Sequence, residues 1–350
     1  MDPLPEPAAA PAPASGKSAL AFFGVLLALW LPGALAQSVS LPAGLAWTEV
    51  FVFLLSALVA TAGSNLRAVP YLGLRAARPA ALALGALTGA AGYLVAGAVL
   101  TLTQQVVPAR WVEVFDPVRL FEGPRSEQLA LAAVATLLAP VCEEIAFRGY
   151  LQTTLALRRG PASAVAGAAV LFALLHVNPV LFPALLVLGA IFGWLTWRVG
   201  SIWPAVLAHA VNNGITSWLV LGDAVPPAGP PRPADVGAAI GLGAGALLVL
   251  AAAYRAATPA PPPAGDAAVL RDPADASIRF SPGRVPRGLA AAALVGAALL
   301  AALLWMGASG ARRAAPGRPE AHTAAGPRGG TPLRARVRDG LDARALPMFG

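Results

Sequence analysis

The chain holds one cysteine, Cys142, and three histidines, and only 12% of its 350 residues are charged. A lone cysteine excludes an intrachain disulfide, and inside an apolar run a single thiol reads as a small packing residue. So little charge against 57% hydrophobic residues excludes a soluble globular domain, which needs far more polar surface to stay dispersed. Alternation of apolar and polar residues is missing too, which excludes a β-barrel. Basic residues do not interleave with aromatics as they would on a nucleic-acid platform. The net charge of +8 reflects eight basic residues after residue 310, and most of the others flank apolar runs. No nucleic-acid partner is expected. The His-Glu-x-x-His zinc signature on one helix is also lacking.

What the chain has in abundance is long apolar stretches. They fall near 18–36, 46–63, 80–103, 128–150, 161–177, 181–197, 204–221, 235–254 and 288–307. A run of about 20 residues crosses roughly 30 Å of hydrocarbon as a helix, and the Gly and Ala content suits close helix packing in lipid. The expectation is an all-α, polytopic helical membrane protein with about 8–9 transmembrane helices, embedded in the lipid bilayer. Residues 1–17 read as a disordered Pro/Ala-rich tail, 18–103 as N-terminal transmembrane helices and 104–127 as an interfacial loop or surface helix. A helical core at 128–221 would precede C-terminal helices at 222–307 with a Pro/Arg linker at 256–287, then a basic disordered tail at 308–350. Ala34-Leu35-Ala36 resembles a signal-peptidase site, but the acidic, proline-rich segment before it favours an uncleaved helix. Arg67, Arg75 and Arg78 crowd one short loop without an acid, which puts 64–79 on the cytoplasmic side. The Ala/Arg/Pro-rich composition suggests a bacterial chain, and so a multi-pass protein of the inner membrane.

Three fragments place ionisable groups inside these apolar runs: Glu143-Glu144 to Arg148, Phe172 to His176, and His209 to Asn213. Such groups at membrane depth are costly and usually functional. On a helix, Glu144 and Arg148 share a face at i, i+4, while Glu143 points roughly 100° away. Two adjacent carboxylates would not both stay ionised unaided. An arginine stabilises one and leaves the other to act as a general base. Phe172 stands one turn before His176 and can wall a pocket beside the imidazole. Asn213, one turn after His209, can fix that imidazole or bind a developing oxyanion. Each group alone has a plain structural explanation as an interhelical polar contact. Together on three helices they call for a shared cavity.

Two chemistries fit the set. In one, His176 and His209 bind a divalent ion such as zinc and a glutamate activates the metal-bound water. In the other there is no metal, and Glu143 with a histidine polarises water while Asn213 and the other histidine face the oxyanion. Because His209 starts only five residues into its run, its helix must begin below the surface or the cavity must open to the cytoplasm.

The ordered set Glu143-Glu144-x-x-x-Arg148-Gly149-Tyr150-Leu151, Phe172-x-x-x-His176 and Gly200-Ser201-Ile202-Trp203-Pro204 leading into His209-x-x-x-Asn213 resembles the CPBP family. These are the CAAX prenyl protease and bacteriocin-processing (Abi) membrane proteases, and the resemblance covers roughly 128–215. It implies a helical intramembrane (metallo)endopeptidase acting on a membrane-embedded or lipidated protein or peptide. By motif, Glu143 would activate water, with His176, His209 and Asn213 completing the catalytic site. Glu144, Arg148 and Phe172 would support it. The Pro-rich N-terminus, the ninth run and the long tail depart from the family pattern. Two rivals stand beside this reading: a catalytically silent chaperone or immunity protein, and a proton-coupled transporter using Glu143 and His176 as a relay. No inverted repeat favours the second.

Overall fold

The computed structural model describes residues 16–63, 68–225 and 231–257, and among these the chain is helical with no strand. Eight long helical runs form: α1 (Gly16–Val39), α2 (Leu41–Ala62), α3 (Pro79–Val106), α4 (Arg125–Ala156), α5 (Pro161–Leu175), α6 (Phe182–Val199), α7 (Trp203–Leu221) and α8 (Pro233–Ala257). The all-α class expected from composition is therefore what forms. Each of the first eight apolar runs lies on one of these helices. The expected ninth run at 288–307 and the tail at 308–350 lie outside the described residues, as do residues 1–15 and 258–287.

Six of the described helices are long and apolar enough to cross a membrane, namely α1 to α4, α6 and α8. α5 is a shorter apolar helix. α7 has the length, but His209, Asn212 and Asn213 interrupt its apolar run. Large side chains on the outside, among them Leu31 at 70%, Trp218 at 72% and Leu248 at 72% exposure, face outward where lipid would lie. The mixed segment between α3 and α4 holds a short helix, Ala109–Val114, and a tight turn, Pro117–Phe121, capped by Asp116 accepting from the Val118 N–H.

Three packing centres hold the helices together, and two of them involve the helices that carry the candidate site residues. In the first, α1, α2 and α4 meet through aromatic rings: Phe22 lies 4.4 Å from Tyr150 and Phe53 lies 5.9 Å from Phe147, centroid to centroid. Cys142 is wholly buried here, a packing residue as expected. In the second, α3 packs against α6 and α7 around Leu84, Leu188, Phe192, Leu195, Ala205 and Ala208. Lipid is as apolar as leucine, so close fit rather than water exclusion favours such contacts. Gly89 makes that fit possible: a Cβ there would sit 2.3 Å from the Ala208 carbonyl oxygen.

The start of α7 lies under a covering segment. Ile202 N–H donates to the Gly73 carbonyl at 3.0 Å, Ser201 Oγ to that of Arg75 at 2.7 Å, and Trp203 Nε1 to that of Leu74 at 3.1 Å. A helix begun beneath such a cover can carry His209 inward after few residues.

α4 is not one uniform helix. Its turns widen to i→i+5 spacing at Val134–Leu138 and again at Ile145–Gln152, on either side of the Ala139–Glu144 stretch. Widened turns of this kind recur at functional sites. Pro140 sits between them and has no N–H to give. The Ala135 carbonyl, five residues earlier, therefore lacks its natural partner, and Asn213 of α7 donates to it at 2.9 Å. Freed backbone groups inside a membrane helix need such a substitute.

Candidate active site

The adjacent carboxylates of α4 diverge as helical geometry requires. Glu144 points into the protein, is wholly buried, and accepts from Arg148 Nη1 at 2.7 Å. The arginine does more than pair. Its second terminal nitrogen donates to the Gly189 carbonyl of α6 at 3.3 Å, and its guanidinium lies 4.5 Å above the Phe172 ring and 5.8 Å from that of Phe192. A buried charge needs this degree of compensation. Arg148 thereby ties α4, α5 and α6 together.

The same Glu144 oxygen also accepts from His209 Nδ1 at 3.0 Å. A carboxylate already paired with arginine acts as acceptor, so the imidazole proton sits on Nδ1. That leaves Nε2 as the edge turned to Glu143, whose Oε2 lies 3.9 Å away. This corrects one alternative held open by the motif spacing. Asn213 does not fix His209; Glu144 does, and the Asn213 amide goes to Ala135. Sequence spacing shows neighbours along a helix but not partners across one.

His176 ends α5. Its Nδ1 lies 2.8 Å from the Phe172 carbonyl, which only accepts, so this ring too keeps Nε2 free for other work. The Phe172 ring lies edge-on at 4.6 Å from His176 and at 6.1 Å from His209. It separates the arginine from the imidazoles and so walls the site from behind. The next residue, Val177, has φ of 49°, a left-handed conformation costly for a β-branched side chain. Asn178 then holds the turn: its Oδ1 accepts from the N–H groups of Val180 and Leu181, and its amide donates to the Phe115 carbonyl. Strain of this kind is kept where surroundings over-determine the backbone.

Glu143, His176, His209 and Asn213 all line one cavity of about 50 Å³, room for more than one water. Glu144, Arg148 and Phe172 stand behind that lining. The opposite wall comes from helices that the motif reading left out: Gln37 of α1, with Thr48 and Glu49 of α2. Gln37 donates to Thr48 Oγ1 at 2.8 Å, and Thr48 in turn donates to the Gly44 carbonyl. Glu49 is 1% exposed, and its carboxyl interacts with that of Glu143. One signal pointed to it. Glu49 is the only charged residue in the apolar run 46–63, and a carboxylate there is functional by default.

A divalent ion held by His176 and His209 would need at least one further donor at bonding distance. Among the described residues no three His, Cys, Asp or Glu side chains gather closely enough to hold one. The donor set as arranged does not fit a metal, and neither histidine is assigned as a ligand.

Fold and site together define an integral membrane protein of packed helices with a buried carboxylate–imidazole centre. Residues 125–215, which carry every motif residue of that centre, match the family model of type II CAAX prenyl endopeptidase Rce1-like proteins. This part of the chain is similar to the CAAX prenyl endopeptidases, and the match supports a CAAX-type membrane protease at the level of the family. No curated protein and no solved structure matches the chain.

Proposed function

We propose that the chain hydrolyses a peptide bond in a membrane-embedded or lipidated protein or peptide, with Glu143 as the base that activates water. One observation carries this reading: Glu143 Oε2 is buried, has no hydrogen-bond partner, and stands 3.9 Å from His209 Nε2 across a cavity with room for water. That separation is too long for a direct hydrogen bond and suits a bridging water. The water gives a proton to Glu143 as its oxygen bonds to the scissile carbonyl carbon. Asn213 spends one amide hydrogen on Ala135 and keeps the second for the carbonyl oxygen as charge develops there. His176 and His209, with their Nδ1 edges engaged, use Nε2 to orient water and substrate. Glu144 and Arg148 hold His209 in that pose, a role that orienting carboxylates play beside catalytic imidazoles generally.

The test is cleavage of a fluorogenic lipidated peptide by the purified protein in detergent or liposomes. Cleavage that disappears in Glu143→Gln and in His209→Ala supports the reading. Proton-coupled uptake into liposomes with no cleavage of any lipidated or membrane-spanning peptide overturns it in favour of a transporter. Metal content of the active preparation, read with chelator sensitivity, checks the donor-set argument. Stoichiometric zinc lost together with activity would show that the histidines converge further in the working enzyme.

A further inference from the structure

We infer that Glu49 is a positioning residue of this site, sharing a single proton with Glu143; the inference rests on the proposed role of Glu143. Glu49 lies outside residues 125–215, on α2, in a widened turn at Thr48–Leu54. Its side chain is buried against α4 and lines the same cavity as Glu143, His176, His209 and Asn213. The two carboxyls interact with each other, and each keeps an Oε2 without a hydrogen-bond partner. The titratable groups facing Glu49 are Glu143 and Cys142 of α4, with His176 and His209 across the cavity. α1 contributes Gln37, whose amide goes to Thr48 instead. Arg148 gives its guanidinium to Glu144 and to the Gly189 carbonyl.

Two buried carboxyls face to face, with the neighbouring arginine committed elsewhere, cannot both carry charge. One proton between them satisfies both, as in other paired-carboxylate enzymes. The pair then begins each cycle with one proton and one negative charge. Water gives a proton to the ionised carboxyl, Glu143, as its oxygen bonds to the carbonyl carbon and the π electrons move onto the carbonyl oxygen. The pair now holds two protons. As the C–N bond breaks, one of them passes to the leaving nitrogen, the new carboxylic acid departs, and the pair returns to a single proton. Glu49 acts throughout by fixing which carboxyl of the two is the base and where it points.

The test is the pH profile of kcat and KM for Glu49→Gln. Glutamine keeps the shape and can still donate to Glu143, but it cannot share the proton. The expected result is a fall in kcat of about a hundredfold, within the usual range for acid–base groups. KM should stay within about twofold, and the alkaline limb set by loss of the shared proton should vanish. A profile that superimposes on that of the unaltered protein overturns the inference. Infrared spectroscopy of the unaltered protein decides the matter even where the variant fails to fold. A buried carboxylic-acid carbonyl band at neutral pH that moves in Glu143→Gln supports the shared proton, and its absence overturns it. If Glu143→Gln still cleaves, the proposed function falls along with this inference. If Glu143→Gln is dead while Glu49→Gln keeps the original profile, the inference falls alone.

Discussion

The two walls of the cavity treat their polar groups differently. On the α4–α7 wall, Arg148, Glu144 and His209 form a closed chain with contacts of 2.7 and 3.0 Å, and Asn213 is held by the Ala135 carbonyl. On the α1–α2 wall, Gln37 and Glu49 each keep a buried oxygen without a hydrogen-bond partner; Glu144 also keeps its Oε2 free, but its Oε1 takes both Arg148 and His209. A charge-paired network fixes its members in place, whereas buried polar groups without such a pair call for an explanation such as catalysis or an absent ligand. The difference teaches that the family-matching wall sets geometry while the N-terminal wall is left with capacity for protons or substrate. Glu143 belongs to the first wall by sequence and to the second by its free oxygen, and so joins the two.

Substitutions can break this contrast, and their expected effects form a descending series. Glu143→Gln removes the base and should lower kcat by about 10³- to 10⁴-fold, at the top of the range for such groups, with the thermal midpoint in detergent unchanged. A retained rate would leave the two walls without a shared chemical centre. Arg148→Met strands Glu144 as an uncompensated buried charge and should cost about 3–5 kcal/mol of stability. Thermal unfolding would show this, and adding Glu144→Gln should restore part of the loss. If Arg148→Met unfolds no earlier than the original, the first wall is not the rigid one. Asn213→Ala removes an oxyanion donor and should lower kcat by about 10²-fold or more with little change in KM. An effect confined to KM would move Asn213 from the reacting carbonyl to substrate binding. Gly89→Ala forces α3 and α7 apart at a backbone contact and should cost about 1–3 kcal/mol, the usual penalty of overpacking. Activity per folded molecule should fall modestly, because His209 rides on α7.

Much of this was legible from the residues. Apolar run length located eight of the helices, and i, i+4 spacing predicted the Glu144–Arg148 pair that the structure contains. The same spacing could not show that Glu144 also holds His209, because a carboxylate offers several acceptor sites and its second partner comes from a helix 65 positions along the chain. Glu49 escaped for another reason: it belongs to no motif, and only the burial of its helix against α4 gives the lone acid a neighbour. The Ala135–Asn213 contact was hidden in a similar way. Its cause is a missing N–H at Pro140, and what becomes of the orphaned carbonyl depends on which helix lies alongside.

That proline has a consequence for assembly. Pro140 leaves the Ala135 carbonyl of α4 without a backbone N–H, so α7 meets a rung that asks for an amide. Sliding α7 by a single turn would carry Asn213 away from that rung and leave both groups unsatisfied in a medium without water. Pro140 thus works as a register mark, a covalent notch that tells a later helix where to stop, and the alignment of His209 with Glu143 depends on its being read.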